Sequence, residues 1–515
     1  MFKQNTDVFL VNDLIGNNLT DLIVEGDVYV PDNTLGIEKI INTTGKVKIA
    51  NVSALTNKVA VYGDLNYTII YRGNNENSTT SALNGKIDFM EEIPMQGVTE
   101  EMSVSITPSI DYIDSKIVSD YKGLIKAVVN IETEVINNHN VNYISNIESD
   151  GSFQAKTDNF TYTDVSECIS SELPLNVTMT LEDNMNEIEE ILKFDVMPII
   201  TETDIMNERM LIEGICKVGI LYSENDEMKS LNYLAKDFPF THYVELKNAN
   251  ELMKNSVAVS VTDMNCEIAK DDNDENKITN CEINMEFTIC LYEPVYNNMI
   301  SDAYSTTNEI SIDKSNISVN SLVDFCCIKD DFEKTFDVDD VSIKDIYYYD
   351  AVAKISEKTI YDDNMVVDGF IDVNVIFLDG DINKVDSTST SIPFSSNVDL
   401  SSYTDVSDAE SKITLTDVGV YRKGRNTIVF EAKIVNDVKV KNNKNVSIIS
   451  NIVEGDKLNK KNTPSIVFRV VQPNECLWDI AKNYNISMNY LCQSNNLDID
   501  SELTVGEKII ITKQI

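Results

Sequence analysis

His139 and His242 are the only imidazoles in 515 residues, and imidazole is the side chain best suited to moving protons near neutral pH. The two fall in different copies of an internal repeat and at different repeat positions, so they build no shared site. They read as ordinary polar or half-buried residues. A nucleotide-phosphate loop, Gly-x-x-x-x-Gly-Lys-Ser/Thr, is missing, and so is a Gly-x-Ser-x-Gly nucleophile elbow. Asp271-Asp272-Asn273-Asp274-Glu275-Asn276 invites a calcium reading. Counted from Asp272, however, Lys277 stands where the loop needs glycine and Ile283 where it needs the closing glutamate. Counted from Asp379, those places hold Lys384 and Thr390. Both stretches read as solvated hairpin turns. With 85 carboxylates, close acid pairs arise by chance and do not indicate glycosidase chemistry. Nine cysteines, an odd number without a Cys-x-x-Cys pair, predict free thiols in a reducing compartment. No catalytic residue, metal ligand or cofactor is assigned.

The strongest local pattern surrounds Trp478, the single tryptophan, in Leu477-Trp478-Asp479-Ile480-Ala481. Leu477, Ile480, Ala481 and Tyr484 recur at i, i+3, i+4 and i+7, one apolar face of a helix. Ser487 is placed to cap a second helix. Ile486 before that cap and Leu491 at its fourth helical position form a hydrophobic staple. Ile466 to Val471 and Lys508 to Thr512 are β-branched and read as strands. Pairing them clamps both helices against a small sheet. Before the first helix, Pro473 stiffens a loop in which Asn474 tolerates a left-handed backbone. Cys476 occupies the cap position, and sulfur is a weak acceptor there. Trp478 has two compatible readings, a structural edge beneath the helices and an anchor for a partner.

Upstream lies a threefold repeat. Gly63, Gly214 and Gly369 each sit in an apolar stretch with an aromatic eight positions later: Tyr71, Tyr222 and Phe377. Ile37 and Ile40, Ile188 and Ile191, and Ile343 and Ile346 precede those glycines by 26 and 23 positions. Phe89, Phe240 and Phe394 follow at or near 26. The units span about 20–138, 168–295 and 332–440. Alternating β-branched runs, turn signals such as Asp379-Gly380, and a glycine that suggests a bulge or close backbone approach make each unit β-sandwich-like, with a closed barrel as the alternative that the pattern does not separate from it. The fold class is therefore mainly β, three tandem sandwich-like repeats followed by a small α+β (βααβ) domain at 464–515. Between them, 441–463 reads as a Lys/Asn-rich linker; Lys439, Lys441, Lys444, Lys457, Lys460 and Lys461 make its neighbourhood basic. It could dock on the acidic repeats of its own chain.

A net charge of −43 disfavours nucleic acid and anionic lipid as partners. No apolar run approaches membrane-spanning length, and the N-terminus carries no basic start followed by an apolar run.

Residues about 20–440 resemble the SPOCS-type domain repeated in spore coat assembly proteins. Residues 466–515 are similar to the LysM domain. Its first-helix signature stands at Leu477 to Ala481, its Leu-x-x-x-Asn-x-Leu ending at Leu491, Asn495 and Leu497, and its closing pattern at Gly506 to Thr512, with Thr512 in place of proline. The usual Gly-Asp-Thr before Leu-Trp is here Asn474-Glu475-Cys476. The layout resembles SipL-like spore morphogenesis proteins. That resemblance implies a non-enzymatic adaptor in the mother-cell cytoplasm, gathered at the forespore outer membrane. It would anchor the coat by binding stage IV sporulation protein A, an ATP-hydrolysing scaffold, through the LysM domain. Asn474, Glu475, Leu477 and Trp478, with Asn495 and Asn496, are the expected border of that partner surface. The alternative is a cortex or wall protein binding N-acetylglucosamine polymers. A wall hydrolase targeted by LysM would need a catalytic domain within 20–440.

Overall fold

The computed structural model describes residues 3–31, 35–75, 78–149, 151–227, 229–404, 406–459 and 464–512. The first repeat is built of β1 (Lys3–Tyr29), β2 (Ile37–Leu55), β3 (Lys58–Gly73), β4 (Thr80–Pro94), β5 (Ser103–Ser119) and β6 (Lys122–Glu148). The meander β2-β3-β4 is one antiparallel sheet and β1-β6-β5 the other. Their inner faces meet through Val24, Val59, Leu65, Ile93, Ala127 and Ile131, all buried. This is a two-layer sandwich of two separate three-stranded sheets, which decides between the sandwich and the closed barrel that the alternating pattern leaves open.

The second repeat repeats the plan with β7 (Phe153–Thr180), β8 (Ile188–Met206), β9 (Arg209–Glu224), β10 (Leu231–Glu245), β11 (Lys254–Ala269) and β12 (Ile278–Ser305). The third uses β13 (Asn308–Asp337), β14 (Ile343–Ile360), β15 (Asn364–Asp379), β16 (Lys384–Asp399), β17 (Asp408–Arg422) and β18 (Thr427–Lys457). Their sheets are β8-β9-β10 with β7-β12-β11, and β14-β15-β16 with β13-β18-β17.

The repeat landmarks have a physical cause. Gly63 pairs with Phe89, Gly214 with Phe240 and Gly369 with Phe394 across neighbouring strands. On the other side a bulge opposes each glycine, after Ile49, Ile200 and Ile355. A Cβ on Gly214 would lie 2.3 Å from the Phe240 ring and 2.4 Å from the Ile199 carbonyl. Only glycine lets ring and bulge close on the strand together. Tyr71, Tyr222 and Phe377 are buried, as are Ile37, Ile188 and Ile343.

The first and last strands of each repeat overrun their sandwich. β5 covers β6 only as far as Ile136, so Lys3–Leu14 and Ile136–Glu148 continue as a two-stranded ribbon. β7 with β12 and β13 with β18 do likewise. A lone ribbon is marginal in water. Here three pack together through Phe9, Val11, Tyr143, Tyr162, Met299, Val319, Val446 and Ile448.

This corrects the linker expected at 441–463. Residues 441–457 are the end of β18, paired with β13 as far as Asn308. Lys439 and Lys441 face Glu410, and Lys444 donates to the Thr161 carbonyl at 2.9 Å, so these lysines dock on the chain itself. Lys460, Lys461 and Asn462 lie outside the described residues. The expectation of nine free thiols is corrected at four of them, while Cys216, Cys326, Cys327, Cys476 and Cys492 stay free. Cys168 faces Cys290, and Cys266 faces Cys281, in antiparallel register, and each pair is joined as a disulfide. Strand register brings together cysteines 122 and 15 positions apart, and neither separation makes a recognisable spacing motif in the sequence. The Asp271–Asn276 stretch is a hairpin turn, where the Asp271 carboxylate accepts the Asn273 and Glu275 amides at 2.8 and 3.0 Å. These bonds hold the Asp271 carboxyl below the usual carboxylate range. Among the described residues no cluster is placed to hold a metal ion, and no helix is long and apolar enough to cross a membrane.

Candidate functional site

The C-terminal module is β19 (Ile466–Val470), α1 (Leu477–Asn483), α2 (Met488–Asn495) and β20 (Lys508–Thr512). β19 and β20 pair antiparallel, Ile466 opposite Thr512. Leu477, Ile480, Ala481, Ile486, Leu491, Ile509 and Ile511 form the core, so the staple and three of the four expected helical-face residues point inward, while Tyr484, at the C-cap of α1, is exposed.

The cap of α1 is made differently from a threonine cap. Asp479 accepts the backbone amide of Cys476 at 3.0 Å, and the Cys476 thiol donates to the same carboxylate at 3.0 Å. The weak acceptor thus serves as a donor, and an acidic residue in the first turn suits the helix dipole. Asn474 and Asn496 both adopt the left-handed conformation, φ 62° and 55°. Backbone bonds from Val471 to the Glu507 carbonyl and from Gly506 to the Val471 carbonyl join the loop before α1 to the end of the loop after α2.

The six expected surface residues separate. Asn474 and Asn496 are exposed. Leu477 is buried in the core and borders no surface. Glu475 folds back, pairing with Arg469 at 2.9 Å and accepting the Gln472 amide at 2.9 Å. Arg469, seconded by the Gln472 amide, holds its carboxyl below the usual range. Asn495 spans α2 and β20: its amide donates to the Leu491 and Ile510 carbonyls, both at 2.8 Å, and its oxygen accepts the Ile510 amide at 2.7 Å.

Trp478 is turned toward the second repeat. Its Nε1 donates to Asp302 Oδ2 at 2.8 Å, and its ring meets Tyr304 edge-on at 5.0 Å between centroids. Lys482 Nζ binds both oxygens of Asp302, at 2.7 and 2.6 Å. The Tyr304 hydroxyl donates to the Ile486 carbonyl at 2.8 Å. Burial works against the Asp302 charge, but Lys482 and Trp478 outweigh it and hold the carboxyl below its ordinary range. Asp302 and Tyr304 were not legible as site residues, because nothing in the sequence marks them as neighbours of residues some 180 positions away.

Outside the module, His242 is buried, its Nε2 2.9 Å from the Ser171 hydroxyl and its ring against Phe287. Burial pushes its imidazole below the ordinary value. His139 lies near Asp13 in the first repeat's ribbon. The histidines do not come together.

Residues 36–118, 187–269 and 342–422 match the family SipL, SPOCS domain, and residues 470–512 match the LysM domain family. No curated protein matches the chain, and no solved structure does. Both matched families are binding-type domains, and the SPOCS repeats mark a sporulation-related protein. The chain belongs to the SipL-like proteins of sporulation, with three SPOCS domains and one C-terminal LysM domain.

Proposed function

We propose that this chain is a non-enzymatic adaptor of spore envelope assembly. It binds stage IV sporulation protein A through the LysM module and anchors the coat at the forespore outer membrane, working from the mother-cell cytoplasm. The observation that carries this reading is the division of the LysM surface. Glu475, Leu477 and Asn495 are spent on the module's own fold, while Asn474 and Asn496 stay exposed in rigid left-handed turns. Pre-organised polar turns lose little freedom on binding a folded partner. In sporulating cells a fluorescent fusion of the full chain should ring the forespore. A fusion lacking 464–515 should be diffuse; if it rings the forespore equally well, the LysM module is not the anchor.

A second reading is favoured by the LysM match itself. The same two loops would grip N-acetylglucosamine polymers of the cortex or wall. Titration of the full chain with chitin oligomers separates the readings. Saturable tight binding, with no affinity for the scaffold protein, would select the glycan.

A further inference from the structure

The three ribbons carry corresponding bulges, and their register aligns the tips residue by residue. Ser145, Ser301 and Ser450 each occupy the bulge, and each donates its hydroxyl to a carbonyl of the partner strand, at Asn5, Lys156 and Asp313. One position further on stand Asn146, Asp302 and Asn451. Two beyond those stand Glu148, Tyr304 and Val453. The first and third tips are solvent-exposed at both positions. Only the second tip carries a carboxylate and a phenol there, and it is the tip covered by the LysM module. Its neighbours complete the contact: the Met488 amide donates to Gln154 Oε1 at 3.2 Å, and the Asn485 side chain donates to the Ser305 carbonyl at 3.0 Å.

We propose that the second repeat is the dedicated seat of the LysM module, with Asp302 and Tyr304 as its positioning residues and Trp478 and Lys482 as the groups they receive. Tyr304 completes the module's own apolar core. An acceptor for the indole N–H, a counter-ion for the ammonium and an edge-on ring act on one face of α1 at once. The module is therefore carried at a fixed orientation and does not swing on a tether. Trp478 belongs to this joint and lies outside the partner surface, which leaves that surface to Asn474 and Asn496; this last clause rests on the adaptor reading.

The sole tryptophan makes the joint directly observable. Asp302→Asn with Tyr304→Val installs the residues that the third repeat carries at its own tip, a pair that a folded ribbon already tolerates. In the full chain this variant should red-shift the Trp478 emission and raise its quenching by acrylamide. Lys482→Ala, which leaves the repeat untouched, should shift it in the same direction, and far-ultraviolet circular dichroism should stay that of the parent. Unchanged emission and quenching in both variants would overturn the seat. A second arm titrates stage IV sporulation protein A. Equal affinity of parent and double variant supports the exclusion of Trp478 from the partner surface, and altered affinity overturns that clause alone. Absence of binding by the parent chain overturns the adaptor reading and leaves the fluorescence result standing.

Discussion

At the scale of single residues, the LysM motif specifies which side chains matter without saying which way they face. Leu491, Asn495 and Leu497 are readable as a helix ending, yet Asn495 turns inward and ties α2 to β20. Asn495→Ala leaves the Ile510 amide and two carbonyls without that partner. An unpaired buried group costs about 1–3 kcal/mol, and a domain of this size has little reserve. Thermal unfolding followed through Trp478 should show a lower midpoint, and an unchanged midpoint would contradict the strut role. Asp302 gives a pH prediction. Its carboxyl is held down in the folded chain by Lys482 and Trp478 against the effect of burial. The joint is thus fully stabilised above the ordinary aspartate range and weakens only as pH falls through the depressed folded value. Lys482 binds it directly, and Lys156 stands opposite it in the strand register. Acid titration of Trp478 emission should stay flat through neutral pH; a transition near pH 6 would contradict it. The exposed loop geometry was legible in part, since Asn474 was expected to hold a left-handed turn and does.

At the scale of elements, the sequence betrays strands wherever apolar alternation is strong and conceals them where it is not. The Lys- and Asn-rich end of β18 reads as a linker because lysine and asparagine are poor strand formers. Pairing with β13 and packing against the other ribbons override that propensity. The glycine-to-phenylalanine spacing was readable as a repeat. Its meaning, a ring laid on a bare backbone opposite a bulge, needed the register. Gly214→Ala forces a methyl group between the Phe240 ring and the Ile199 carbonyl. Overpacking of this kind costs about 1–3 kcal/mol, and the carbonyl, being backbone, yields less readily than a side chain. Urea unfolding should give a lower midpoint than the parent protein. A midpoint equal to the parent's would show that the site is roomier than described.

At the scale of the whole molecule, the three repeats share one centre. Ile41, Leu192 and Tyr347 lie 22 positions before the three landmark glycines, and Ile70, Leu221 and Ile376 lie seven after them. All six join one apolar cluster where the meander sheets meet. Around it, Tyr348 donates to Asp195 at 2.6 Å, and Arg72 pairs with Glu38 while donating to the Val385 carbonyl at 3.0 Å. Tandem units were legible; their closure around a common core was not, because each contributes only a few residues that look like ordinary strand positions. Leu221→Ala should cost about 2–5 kcal/mol. Hydrogen exchange should show protection lost together in β3, β9 and β15; loss confined to β9 would contradict the shared core. At −43, repulsion alone opposes casual association, so the adaptor reading rests on one specific surface. The most direct test is the affinity of the full chain for purified stage IV sporulation protein A, compared with Asn474→Arg and Asn496→Arg combined, with Trp478 emission confirming an intact module. The account predicts tight binding by the parent chain and at least a tenfold loss in the variant, about 1.4 kcal/mol. Equal affinity in the two proteins would contradict it.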